Sequence, residues 1–150
     1  MHSAIPFVRC TLPLSASLLL ASSAAAQSNG FGWSHRMLPA DRDATSAIAF
    51  ADVDNDGDLD ALFGNLEQNR LYRNDGTGRF TDVTSIQLPV DTAQTAAIAT
   101  GDVDGNGTID VLLANHGANR LYLNDGTGTF TDATQQIPAD ADTTNAAAFG

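Results

Sequence analysis

From about residue 40 onward, short apolar runs of β character are separated by polar, glycine-containing segments. Residues 47–50, 61–64, 70–73 and 80–84 are rich in β-branched, aromatic and small apolar residues. The same series returns at 96–100, 111–114, 120–123 and 130–134. Between the third and fourth runs of each series lies Asn-Asp-Gly-Thr-Gly, at 74–78 and 124–128. Asp-Gly between two strand-like runs marks a hairpin, because Gly supplies the positive φ that the tight turn requires. No stretch here keeps a helical period over the length a helix needs. The pattern predicts four short antiparallel strands per repeat.

The two series are copies. Residues 51–84 aligned with 101–134 give 20 identities in 34 positions. Pro39 and Pro89 each precede a copy at the same distance, and Pro138 opens a third lead-in. A fixed period of about 50 residues signals a propeller or solenoid and outweighs any local fold guess. Four strands per period is the composition of a propeller blade.

Each copy contains a metal-loop pattern. The first is Asp52-Val-Asp54-Asn-Asp56-Gly57-Asp58-Leu-Asp60, and the second is Asp102-Val-Asp104-Gly-Asn106-Gly107-Thr108-Ile-Asp110. Oxygen side chains at alternate positions, a central Gly and a carboxylate at the ninth position suit a hard divalent cation. Calcium takes ~6–8 oxygen ligands at ~2.3–2.6 Å in irregular geometry, whereas magnesium resists dehydration. Asp52, Asp54 and Asp56 are expected to offer side-chain oxygens, Asp58 its backbone carbonyl, and Asp60 to close the cage. In the second loop these roles fall to Asp102, Asp104, Asn106, the Thr108 carbonyl and Asp110. With more carboxylates, the first loop is expected to bind more tightly. An EF-hand fits less well: the twelfth loop positions are Phe63 and Leu113, not Glu, and the flanks are strand-like.

These residues, followed by Asn69-Arg-Leu-Tyr-Arg-Asn-Asp-Gly-Thr-Gly-Arg-Phe-Thr-Asp82 and its second copy, resemble the FG-GAP/VCBS repeat. The resemblance covers roughly residues 31–150. It implies calcium-binding blades similar to those of the integrin α-subunit propeller and of bacterial secreted proteins, within a ring of about seven. Phe63-Gly64 matches the name-giving Phe-Gly loosely, and Leu113-Ala114 replaces it in the second copy, which favours the bacterial VCBS-like branch. The expected fold is therefore all-β: a partial β-propeller of about two and a half four-stranded blades. Residues 31–39 read as the last strand of a preceding repeat, 40–89 as repeat 1, 90–138 as repeat 2 and 139–150 as the start of repeat 3. The pattern stops one residue short of a third loop aspartate, as expected for a piece of a longer ring.

Residues 1–26 have the features of a secretory signal: Arg9 near the start, an apolar stretch over 11–20, and Ala24-Ala-Ala26 before Gln27. The expected location is secreted, periplasmic or at the cell surface. Cys10 is the one cysteine and lies in this segment, so the mature region has no disulfide, thiolate metal site or cysteine nucleophile. Calcium then replaces disulfides as the staple. The mature region carries six Arg, no Lys and 18 acids, a net charge of −12. Such a surface argues against nucleic acid or an anionic membrane as partner. Five crowded carboxylates in the first loop repel one another without metal, so metal binding and folding are linked.

Catalytic candidates are few. Glu67 is the only Glu, so no Glu pair is available, and Ser46 and Thr95 sit in no nucleophile elbow. His116 reads as a surface-loop residue, and His35 has no visible partner. Arg70 and Arg120 read as strand-face residues paired to carboxylates. Tyr72, Tyr122, Phe80, Phe130 and Trp33 read as packing between blades rather than as a sugar platform. The functional expectation is a non-enzymatic binding or adhesion scaffold with structural calcium. It would present a protein or carbohydrate surface, with further blades supplied in cis or by other copies. The competing expectation is an N-terminal accessory propeller of a larger secreted hydrolase, since propellers also host active sites.

Overall fold

A computed structural model describes residues 38–139 and 142–149. The expected signal segment 1–26, most of the expected leading strand at 31–39, and Trp33 and His35 lie outside the described residues. Among the described residues, eight strands form two four-stranded antiparallel sheets. The first contains β1 (Thr45–Ala51), β2 (Asp60–Asn65), β3 (Arg70–Asn74) and β4 (Phe80–Asp82). The second contains β5 (Thr95–Gly101), β6 (Asp110–Asn115), β7 (Arg120–Asn124) and β8 (Phe130–Asp132). Each is a simple meander in which sequence neighbours pair. Register repeats with the sequence: Ile48 faces Phe63 as Ile98 faces Leu113, and Ala51 faces Asp60 as Gly101 faces Asp110. No helix among the described residues is long and apolar enough to cross a membrane.

The fourth strands are shorter than the sequence pattern suggests. β4 stops at Asp82 and is followed by one helical turn, α1 (Thr84–Gln87); β8 stops at Asp132, before a 3-10 turn (Thr134–Gln136). The cause is local. The Asp82 carboxylate accepts the Thr84 N–H at 2.9 Å, and the Thr84 hydroxyl accepts the Leu71 N–H at 3.0 Å. Asp132, Thr134 and Leu121 repeat both bonds. Side-chain capping of this kind competes with the β ladder and turns the chain. The expected start of a third repeat at 139–150 forms no full strand among its described residues. It meets the second sheet through an isolated bridge between His116 and Thr143 and a bond from the Thr144 N–H to the Asn115 carbonyl at 3.0 Å.

The two sheets share one core. Val53, Leu62 and Leu71 from the first repeat pack with Val111, Leu113, Tyr122 and Phe130 from the second. Equivalent positions therefore differ in burial according to what lies beside them. Ile98 packs on the core whereas Ile48 is 54% exposed, and Leu113 is 2% exposed whereas Phe63 is half-buried. Tyr72 and Tyr122 are both buried, and each hydroxyl donates to an aspartate, Asp41 and Asp91 respectively. Arg70 pairs with Asp43 and Asp82, and Arg120 with Asp91 and Asp132, as their strand positions suggest.

Candidate metal centre

Both loops connect the first and second strands of a sheet, so each is held at its two ends by antiparallel pairing. The backbone is left-handed at Gly57 (φ 94°) and Gly107 (φ 84°). No atom lies near the place a Cβ would take at either glycine. Glycine is required there by backbone conformation, not by crowding. The fourth loop position is also left-handed, occupied by Asn55 (φ 59°) and Gly105 (φ 77°). Asn is among the few side-chain-bearing residues that visit this region readily.

The first aspartate of each loop organises the turn. Asp52 accepts the N–H groups of Asp56 and Gly57 at 3.1 and 3.0 Å; Asp102 accepts those of Gly105, Asn106 and Gly107 at 2.8–3.1 Å. The ninth aspartate joins loop to sheet. Asp60 is fully buried, and its two oxygens accept the N–H groups of Val53 (3.1 Å) and Asn74 (2.8 Å). Asp110 does the same with Val103 (2.8 Å) and Asn124 (2.9 Å). Burial raises the Asp60 carboxyl above its usual range against the pull of those two N–H groups, and the charges of Asp56 and Asp52 add to the rise.

Carboxylate oxygens converge in both loops. In the first, one oxygen each from Asp52, Asp54 and Asp56 lie within 4.8 Å of one another; in the second, Asp102, Asp104 and Asp110 do so. Asp60 stands outside the first triad, whereas Asp110, which accepts the equivalent two N–H groups, lies within the second. Each carboxylate oxygen has capacity for a second partner beyond one N–H. Asn106 turns its amide oxygen to the N–H and hydroxyl of Thr108, at 2.8 and 2.6 Å. The Asp58 side chain lies over the hairpin turn, where a Cβ on Gly76 would meet it.

The donor set fits a hard cation. It is made of oxygens, and in the first loop Asp54 is a buried carboxylate whose two oxygens accept no hydrogen bond. Its side chain is 3% exposed and forms an ion pair with the Arg73 guanidinium. A buried anion without hydrogen bonds calls for a cation beside it. Arg73 carries that charge here.

Three participants were not legible in the loop motif itself. Arg73 replaces the Leu123 of the second copy, a difference visible in the alignment but silent about reach. Asn74 and Asn124 hold the loops to the hairpin turns. Asn124 donates to the carbonyls of Ile109 (3.0 Å) and, across the sheet boundary, Val53 (2.7 Å). Its amide oxygen accepts the N–H groups of Gly126 and Gly128. The hairpin turn of the second repeat thus lies against the first loop. Val53 is 0% exposed, while Val103, its equivalent in the second loop, is 44% exposed.

The profile of the FG-GAP-like repeat matches residues 52–113 and again residues 102–150. No match is found among curated proteins.

Proposed function

The chain belongs to the FG-GAP-like repeat family, and we propose that it is an exported, calcium-stabilised β-propeller segment serving as a binding or adhesion scaffold. The observation that carries this reading is the convergence of carboxylate oxygens in two successive loops of a repeat, each loop fixed to its sheet by a ninth-position aspartate. Asp52, Asp54, Asp56 and Asp60, with the Asp58 carbonyl, would hold one calcium ion. Asp102, Asp104, Asn106 and Asp110, with the Thr108 carbonyl, would hold the second. When bound, calcium supplies charge neutralisation and a fixed loop geometry, not chemistry. The sheets are the blades. The open apolar face at Ile48 and Phe50 suits a further blade, in cis or from another copy, because the equivalent positions of the second sheet, Ile98 and Thr100, are partly buried, Ile98 against the shared core. The ring's loops would then present a surface to a protein or carbohydrate outside the cell.

Calorimetric titration of the full chain with calcium, paired with thermal melts in calcium and in chelator, tests the reading. Two binding events and a higher melting temperature in calcium are expected. A folded protein that gives no heat and melts identically in both would overturn it.

A further inference from the structure

The interface between the two sheets leaves one unmatched half on each outer side of the pair. Between the sheets, Ile98 and Ile109 of the second repeat pack against the shared core. Val53 of the first loop is covered in return by the turn at 124–128, where a Cβ on Gly128 would lie 3.3 Å from Val53 Cγ2. The equivalent residues that face outward are uncovered. Ile48, Phe50 and Leu59 hold the places of Ile98, Thr100 and Ile109, and each is more than half exposed. Val103, at the place of Val53, is exposed as well. Repeat units of this kind bury such faces only by stacking on a neighbour.

The outer side of the second sheet shows what it accepts. Phe149 lies against Gly101, so closely that a Cβ there would be 2.8 Å from Phe149 Cδ2. Residues 144–149 match 45–50 at four of six positions, and Phe149 stands where Phe50 stands in β1. The segment that carries Phe149 is lightly held. It has the His116–Thr143 bridge, the bond from the Thr144 N–H to the Asn115 carbonyl, and one from the Asn119 amide to the Thr144 hydroxyl at 3.0 Å. Within the chain, the residues at the places of Phe149 and Gly101 are Thr100 and Ala51. A bulky ring is thus matched with Gly and a smaller side chain with Ala. Gly101 is the fit for Phe50.

We propose that a second copy of this chain fills the open face: β1 of one copy docks on the outer side of the second sheet of another, with Phe50 replacing Phe149 over Gly101. This rests on the reading of the sheets as blades and commits their open face to one occupant. The incoming sheet brings Ile48 and Leu59 to the positions of Ile98 and Ile109, and its turn at 74–78 covers Val103 as the turn at 124–128 covers Val53. The displaced segment gives up one bridge and two bonds, whereas the incoming β1 arrives already paired along its length to β2. The contact is head to tail, so it closes into a ring or runs on as a filament. With two sheets per copy, a ring of ~4–8 blades takes about two to four copies.

Sedimentation of the full chain in calcium, over a range of concentrations, tests the proposal. A mass that rises above that of one chain is expected. Phe50→Ser blocks the head and Gly101→Val the tail. Each alone should weaken self-association about tenfold or more, the worth of burying one large aromatic side chain. Mixed in equal amounts, each variant keeps the half the other lacks, so the mixture should form a dimer and nothing larger. Phe50 is exposed in the single chain, so its replacement leaves the fold intact, which circular dichroism checks. If Gly101→Val does not fold, Gly101→Ala takes its place. A single-chain mass at every concentration overturns the proposal and leaves the face to a further blade of the same chain. Association that neither substitution weakens, or that mixing fails to restore as a dimer, overturns it too. The calcium titration described above reads the scaffold proposal separately: two binding events with a single-chain mass overturn this inference and leave that proposal standing.

Discussion

Asn124 donates its side-chain amide to the Val53 carbonyl at 2.7 Å, joining the second sheet to the first aspartate-rich loop across 71 residues of chain. Among the described residues the equivalent Asn74 bonds only within its own repeat, to the Leu59 carbonyl at 3.2 Å and to the N–H groups of Gly76 and Gly78. The pair separates what a residue does for its own repeat from what it does for its neighbour's.

Asn124→Ala is therefore expected to destabilise more than Asn74→Ala. Loss of several buried hydrogen bonds costs about 2–4 kcal/mol, and the inter-repeat bond accounts for roughly 1 kcal/mol of the difference between the two variants. Urea unfolding of both variants measures it; equal losses would remove the inter-repeat bond from the account.

Asp56→Ala and Asp60→Ala should separate metal binding from loop anchoring. Asp56 is exposed and belongs to the converging triad, so its removal should shrink the calcium-induced rise in melting temperature with little change in chelator. Asp60 holds two N–H groups at a fully buried position. Its removal should also destabilise the calcium-free protein, by roughly 2–5 kcal/mol, because both donors lose their acceptor. Melts of both variants with and without calcium read the two effects.

Gly64→Ala should wedge the sheets apart. A Cβ there would lie 2.7 Å from Thr95 Cγ2 and 3.3 Å from Ala47 Cβ. Overpacking of this kind costs about 1–3 kcal/mol. Thr95→Ser removes the offending methyl yet keeps the hydroxyl that donates to Asn115 at 3.0 Å. The double variant should thus recover part of the loss in denaturant unfolding. No recovery would place the strain elsewhere.

The two tyrosines, Tyr72 and Tyr122, are the only ones in the chain, so tyrosinate absorbance reports on them directly. Burial pushes both phenols above the ordinary value of about 10, reinforced by the Asp41 and Asp91 carboxylates that accept their protons. A raised folded-state pKa gives stability that is complete below the unfolded value and is lost as pH rises past it. The fold should withstand pH up to about 10 as far as these groups are concerned, then weaken above it. Tyrosinate should appear only as circular dichroism reports unfolding. Phenols that ionise near 10 with the sheets intact would contradict this.

The strands, hairpins and loops were legible because each rests on local chemistry. Continuous apolar runs mark the buried strands β2 and β6, Asp-Gly sets the turns, and spaced oxygens set the loops. The helical turn at Thr84–Gln87 was not, because four residues cannot display a period and the signal lay in two side chains, Asp82 and Thr84. The inequality of Val53 and Val103 was equally hidden. Both are Val at the same loop position, and only a neighbouring repeat distinguishes them. Arg73 was written in the alignment as a departure from Leu123, but its pairing with Asp54 depends on how β3 passes the loop.

The burial of Val53 by the turn at 124–128 gives the repeat a direction. The first loop is packed by the turn of the repeat that follows it. Emergence from the ribosome then leaves the first loop waiting for the second repeat, since Asn124 is translated 71 residues after the carbonyl it meets. Packing around the first loop is therefore complete only once the second repeat has been made.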